Sequence, residues 1–320
     1  MLKTLTKEAV SLCNWALGRF HQKLFILGDG RSGTNWLIDI LNFDKRYRLI
    51  YEPFHGWEFR PKLPDRAEYP WAALHGRAAL DVQFRRAARG AYLTKNVSVE
   101  FPRLIYSGLL IKDINVHLAL DALCAAIPGM KKVMIIRHPF AVAQSKQRYR
   151  GHRWPTTPGY FLRGEGTGHA TLEPYRTLIE EVDREGDQTL QLVAIWCILH
   201  KLAFASACIG DFCFVLYEHL SSDPDSIVQA LYCDLGLEET FRAHRSEIQA
   251  MYLRPSRVTQ ADNTINSSRR GVAAWMTSMD RQSIDRALRL LEGFDLGWLY
   301  GADHFPALDA SELHDRLARH

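Results

Sequence analysis

The sequence contains no run of about 20 apolar residues, so no helix is expected to cross a membrane. Its first twenty residues lack the apolar core and cleavage site of a signal peptide. The cysteines Cys13, Cys124, Cys197, Cys208, Cys213 and Cys233 show neither CxxC nor Cys/His metal spacing. Most of them lie in apolar runs, and they read as reduced, buried small hydrophobes of a cytosolic chain. Asn96-Val97-Ser98 and Asn266-Ser267-Ser268 fit the glycosylation sequon, which carries no weight without a secretory signal. No internal repeat or low-complexity tract is present. A formal net charge of +4 on 320 residues argues against a nucleic-acid binder. Acidic residues are missing throughout 122–164, where Lys131, Lys132, Arg137, Lys146, Arg148, Arg150, Arg153 and Arg163 all fall. That stretch reads as an anion-binding region, or else as a solvated basic face.

What is present is an α/β pattern. Short apolar runs at 24–27, 48–51, 109–111, 133–136 and 212–216 read as buried strands, with helical patterns at 33–41, 116–127, 139–148 and 190–208 between them. Further helices are expected at 224–235 and 281–292. The alternation predicts a central parallel sheet with helices on both faces. Length alone allows two domains. Each predicted strand, however, ends in polar chemistry: the 28–31 turn, Glu52, Lys112-Asp113, Arg137-His138 and Glu218-His219. Ligands of such sheets bind at the carboxyl ends of the strands, which joins these segments into one domain over 23–302. A helical extension at 1–22 precedes it and a tail at 303–320 follows. In the extension Val10, Cys13, Leu17 and Phe20 share a helical face with Lys3, Lys7, Arg19 and Lys23 nearby. It is expected to pack on the domain, the alternative being contact with a membrane surface.

The segment Leu24-Phe25-Ile26-Leu27-Gly28-Asp29-Gly30-Arg31-Ser32-Gly33-Thr34-Asn35-Trp36-Leu37 runs from a strand through a Gly-rich turn into a helix. Free amides at the helix start, together with its positive dipole end, favour a phosphate-like anion. A nucleotide-triphosphatase loop would read G-x-x-x-x-G-K-[ST]. Gly28 and Gly33 keep that spacing, but Thr34 stands in place of the lysine and the cation moves to Arg31. This arrangement resembles the phosphosulfate-binding loop of PAPS-dependent sulfotransferases, in which Lys or Arg-Ser-Gly-Thr-x-Trp recurs. The resemblance implies a P-loop-like sheet, PAPS as sulfuryl donor with no metal, and cofactor contacts from Gly30, Arg31, Ser32, Gly33, Thr34, Asn35 and Trp36. Trp36 matches the position whose ring flanks the adenine, although a tryptophan there also suits the core.

Two further segments carry the resemblance. Ile135-Ile136-Arg137-His138-Pro139 is followed at the family's spacing by Ser145, and Pro139 suits the first turn of a helix. Arg137 and Ser145 resemble the pair that holds the 3′-phosphate. Downstream, Arg269-Arg270-Gly271 in Ser268-Arg269-Arg270-Gly271-Val272-Ala273-Ala274-Trp275 looks like the segment that closes over the same phosphate. It lacks the family's second glycine, and one residue fewer separates Gly271 from Trp275. Arg254 lies just upstream, and Tyr217-Glu218 resembles a structural pair after the last core strand.

Sulfuryl transfer to a hydroxyl needs a base and charge stabilisation on the leaving phosphate. Glu52, in Tyr51-Glu52-Pro53-Phe54-His55, resembles the Tyr-Glu-Pro segment of several carbohydrate sulfotransferases and is the expected base, with His55 second. Cytosolic family members use a histidine after the third strand; here that stretch reads Lys112-Asp113-Ile114-Asn115, with His117 beyond it. Arg31 and Lys112 would stabilise the leaving group. The irregular segments 54–94 and 149–187 mix aromatics with basic residues, among them Trp57, Phe59, Trp71, Arg85, Arg86, Trp154, Tyr160 and Phe161, and are expected to form the acceptor cleft and lid. The acceptor class that follows is a carbohydrate, a glycolipid or a small alcohol, with an anionic glycan or lipid suiting the positive charge. The competing readings are a P-loop small-molecule kinase, disfavoured by the missing lysine, and a nucleotide-binding regulatory protein without catalysis.

Overall fold

The computed structural model describes residues 2–55, 77–91, 97–100, 102–148, 154, 156–162, 167–252, 254 and 272–319. In chain order the elements begin α1 (Leu2–Ala16), β1 (Gln22–Leu27), α2 (Thr34–Leu41), β2 (Tyr47–Tyr51), α3 (Arg77–Ala88), β3 (Gly108–Asp113), α4 (Leu120–Ala126), β4 (Lys131–Ile136) and α5 (Pro139–Arg148). They continue with α6 (Thr167–Leu172), α7 (Arg176–Glu185), α8 (Gln188–Phe204), β5 (Phe212–Leu216), α9 (Tyr217–Ser222), α10 (Pro224–Asp234), α11 (Glu238–Ala243), α12 (Arg245–Tyr252), α13 (Ala274–Ser278), α14 (Arg281–Gly293) and α15 (Ala310–Ala318).

The strands form one parallel sheet in the order β2-β3-β1-β4-β5. Successive strand side chains point to opposite faces. Phe25, Leu27, Leu109, Ile111, Met134 and Ile136 therefore enter one core, while Leu24, Ile26, Leu110, Val133 and Ile135 enter the other. The first core is dominated by α8, which is apolar nearly all round and buried accordingly. Asp187 caps it by accepting from the amides of Thr189 and Leu190. The second core is closed by α2, α10 and α12. This is the expected α/β architecture, a central parallel sheet with helices on both faces.

Local details depart from the sequence reading. The 116–127 pattern is a short 3₁₀ turn over Val116–Ala119 followed by α4, rather than a continuous helix. The final residues carry α15, whose Asp309–Glu312 capping box starts a helix that buries Leu313 and Leu317. Cys124 in α4 and Cys208 beyond the end of α8 form a disulfide, with Cα atoms 6.6 Å apart. Cys13 and Cys233 are exposed. The expectation of reduced, buried thiols is corrected at these positions, because partners 84 residues apart meet only through tertiary folding. No helix among the described residues is long and apolar enough to cross a membrane.

Two surface expectations also change. Among the described side chains of α1, Ser11 and Asn14 are buried; of the expected packing face Phe20 is buried and Val10 half-buried, whereas Cys13 and Leu17 are exposed. The polar pair faces inward because buried groups need it: the Arg48 guanidinium donates to Ser11 Oγ at 3.3 Å, and Asn14 bonds the Leu104 carbonyl at 2.8 Å and the Tyr106 amide at 2.9 Å. The basic stretch after residue 122 divides between the two ends of the sheet. Lys131 and Lys132 start β4, where Lys132 pairs with Asp211 at 3.0 Å, while Arg137 follows the end of the strand. Arg150, Arg153 and Arg163 lie outside the described residues.

Candidate active site

The carboxyl ends of β1, β2, β3 and β4 bring the chemistry together. After β1 the chain turns at Asp29, whose carbonyl accepts from the Ser32 amide at 3.1 Å. Arg31 then takes φ 73° and Gly33 φ 96°. Left-handed backbone is ordinary for glycine and costs a side-chain-bearing residue roughly 1–2 kcal/mol, so the position of Arg31 is one the surrounding structure enforces. Gly33 is the N-cap of α2 and supplies no side-chain cap, which leaves the first amides of the helix available to an anion. Gly30 has a different reason to lack a side chain: a Cβ there would lie 2.4 Å from the Trp154 ring.

On the β4 side, α5 delivers two adjacent residues to this loop. Arg31 Nε donates to Ser145 Oγ at 3.0 Å, and Lys146 Nζ reaches both Asp29 oxygens at 2.7 Å with both side chains 1% exposed. Arg137, just past β4, donates from Nη1 to the Arg31 carbonyl at 3.0 Å and stacks 4.3 Å from the Tyr217 ring centre. The buried Ser32 Oγ and Arg137 Nε have no protein partner among the described residues, a poor arrangement unless a ligand supplies one. Such orphaned groups beside an uncapped helix start fit a phosphorylated nucleotide. Trp36 is half-buried and meets Tyr217 edge-on at 5.9 Å. Thr34 is buried, and the Asn35 side chain bonds the Tyr51 hydroxyl.

On the β2–β3 side, Glu52 takes φ 46° and pairs with Lys112 Nζ, while its amide donates to the Lys112 carbonyl at 2.7 Å. The Lys112 ammonium also lies 4.4 Å from the Tyr51 ring centre. Burial lowers the Lys112 pKa, but Glu52, Tyr51 and Asp113 outweigh it and hold the group above its ordinary value. Asp113 is fully buried and accepts from the amides of Phe54 at 3.0 Å and Asn115 at 2.6 Å. Burial is the largest influence on its carboxyl, and the nearby Glu52 adds to it; against the Asn115 amide they push it up to about 7. His55 is buried in the same turn, its amide donating to the Glu52 carbonyl at 3.4 Å. His117 stands elsewhere, its ring 6.4 Å from that of His200. Burial first, and then His200 and Lys146, push His117 well below the ordinary imidazole value.

The structure thus gathers Gly30, Arg31, Ser32, Gly33, Thr34, Asn35, Arg137 and Ser145 at one loop, and Glu52, His55 and Lys112 at the neighbouring strand ends. Arg269, Arg270 and Gly271 lie outside the described residues, as do Trp57, Phe59 and Trp71. Sequence reading missed the partners: Asp29 with Lys146, Asp113, and Trp154 over Gly30. Asp29 inside a Gly-x-Gly turn and Lys146 beside Ser145 were visible, but nothing local joins them. Glu218 accepts the His138 amide at 2.9 Å and the Tyr300 hydroxyl at 2.8 Å, a fully buried structural bridge.

The site is an uncapped helix start, with Arg31, Arg137 and Ser145 around it, at the carboxyl end of a parallel α/β sheet. A family model described as the sulfotransferase family matches residues 23–241, and the chain belongs to that family as a sulfotransferase enzyme. Among solved structures it is similar to the sulfotransferase domain from the curacin biosynthetic pathway, at 14% identity over 85% of this chain and 97% of that one, with a TM-score of 0.47. The sulfotransferase domain from the Synechococcus PCC 7002 olefin synthase is similar at 15% identity over 86% and 95% of the two chains, with a TM-score of 0.44. No curated protein matches the chain significantly.

Proposed function

We propose that the enzyme transfers a sulfuryl group from PAPS to the hydroxyl of a carbohydrate, glycolipid or small alcohol. The observation that carries this reading is the meeting of Arg31, Arg137 and Ser145, drawn from segments more than 100 residues apart, around an uncapped helix start. Bound PAPS supplies the sulfuryl group and leaves as adenosine 3′,5′-bisphosphate. The first amides of α2 and Arg31 hold the phosphosulfate end. Arg137 and Ser145, with Arg269, Arg270 and Gly271, hold the 3′-phosphate, and Trp36 lies beside the adenine. Charge-assisted bonds of this kind contribute about 1.5–3 kcal/mol each.

Glu52 accepts the proton of the acceptor hydroxyl while Lys112 and Arg31 stabilise charge on the leaving phosphate. The Lys112 ammonium lies directly against the Glu52 carboxyl. Calorimetry tests the donor assignment: adenosine 3′,5′-bisphosphate binds far more tightly than AMP, and Arg137→Ala removes about tenfold or more of that preference. Equal affinities for the two nucleotides overturn it, and tighter magnesium-dependent ATP binding favours a kinase.

A further inference from the structure

Over residues 9–16, α1 turns polar side chains towards the domain and leaves apolar ones open to solvent. Its polar Ser11 and Asn14 are buried, while Ala9, Cys13 and Ala16 on the outside and Leu12 and Trp15 on the flank are exposed. Between Ala9 and Leu17 the sequence carries no charge. Asn14 ties the helix to the segment after it in space, where Leu104 and Ile105 stand 70% and 61% exposed. Leu17 adds a further apolar side chain at 69% exposure. Large apolar side chains this open on adjoining segments mark an interaction surface rather than ordinary scatter.

The rim of this surface is basic. Arg89 lies with its guanidinium 4.8 Å from the Trp15 ring centre, which brings the end of α3 against α1. Arg85, Arg86 and Arg89 are exposed there, Arg19 follows α1, and Arg103 precedes Leu104. Over residues 2–19, 77–91 and 97–107 the sequence holds Lys3, Lys7, Arg19, Arg77, Arg85, Arg86, Arg89 and Arg103 against Glu8, Asp81 and Glu100. A protein partner would require matching acidic side chains; a bilayer supplies apolar depth and diffuse negative charge together. We propose that α1 and the Leu104–Ile105 tip form a docking face for an anionic lipid surface, with Trp15, Leu104 and Ile105 entering the headgroup boundary and the arginine rim contacting lipid phosphates.

The test is co-sedimentation of the full chain with vesicles of phosphatidylcholine alone and of equimolar phosphatidylcholine and phosphatidylglycerol. Binding to the anionic vesicles is expected to exceed binding to neutral ones by about tenfold and to weaken with salt. Leu104→Ser with Ile105→Ser lowers vesicle affinity by about tenfold or more, given roughly 0.8 kcal/mol per buried methylene. Arg85→Gln with Arg89→Gln lowers it on anionic vesicles only. Circular dichroism and retained bisphosphate binding check that each variant is folded. Equal binding to both vesicle types, or binding to neither, overturns the proposal. So does a concentration-dependent dimer in ultracentrifugation that the Leu104/Ile105 variant dissolves, which would assign the face to a second copy of the chain.

Discussion

Lys146 and Asp29 are each 1% exposed and meet through both carboxylate oxygens, whereas Lys112 is 2% exposed against a Glu52 that keeps 16%. Both pairs lie at the carboxyl end of the same sheet, on either side of the β1 loop. The sealed pair cannot touch a substrate. It fixes the loop to α5 one residue from Ser145, so the bond between Arg31 and Ser145 inherits its geometry. The open pair has a buried cation and a carboxylate that an acceptor can reach. Lysine–carboxylate pairing is therefore a fastener in one place and, in the proposed mechanism, the reactive pair in the other, and solvent access is what separates them.

The comparison breaks most clearly at the open pair. Glu52→Gln is expected to reduce turnover about 10²- to 10⁴-fold with bisphosphate affinity retained, measured by steady-state kinetics and calorimetry. Near-normal turnover in this variant, with loss of activity in His55→Ala or His117→Ala, would move the base to a histidine. At the sealed pair, Lys146→Met leaves a buried carboxylate uncompensated and is expected to cost about 3–5 kcal/mol in chemical denaturation. Adding Asp29→Leu recovers most of that loss, since replacing both charges removes the orphan. A Lys146→Met protein with parental stability but collapsed turnover would erase the distinction between the pairs.

A smaller effect sharpens the open side. The Asp113 carboxyl has a folded value of about 7 against an unfolded 3.8, so the folded state binds the extra proton between those limits. Its contribution to stability is greatest below pH about 4 and is lost as pH rises through about 7. Asp113→Asn removes that loss, so its melting temperature relative to the parent should improve between pH 5 and pH 8. Linkage over the two pH units from 5 to about 7 amounts to about 3 kcal/mol, which corresponds to a change on the order of 5 °C or more in melting temperature. A difference independent of pH would show that Asp113 is ionised throughout.

The sheet was legible because each strand is a short apolar run ending in polar residues, and the pleat sends alternate side chains to two cores. Arg137 and Ser145 were legible for a local reason as well: both sit on one strand-to-helix unit. The rest depended on distance along the chain. Asp29 meets Lys146 across 117 residues, and Cys124 meets Cys208 across 84. The inner face of α1 was only half legible, with Val10 and Phe20 turned inward but Cys13 and Leu17 not, because periodicity looks for an apolar face whereas the buried Arg48 and the 104–106 backbone called for hydroxyl and amide partners.

Arg31 and Glu52 share the left-handed backbone, at φ 73° and 46°. Evolution under selection for robustness alone would drive both positions towards glycine or asparagine, which tolerate that conformation. A laboratory screen ranked by heat resistance should therefore return those residues at 31 and 52, and the recovered clones should be sturdier and inactive. Under the proposed mechanism, these two positions are where the fold trades durability for chemistry.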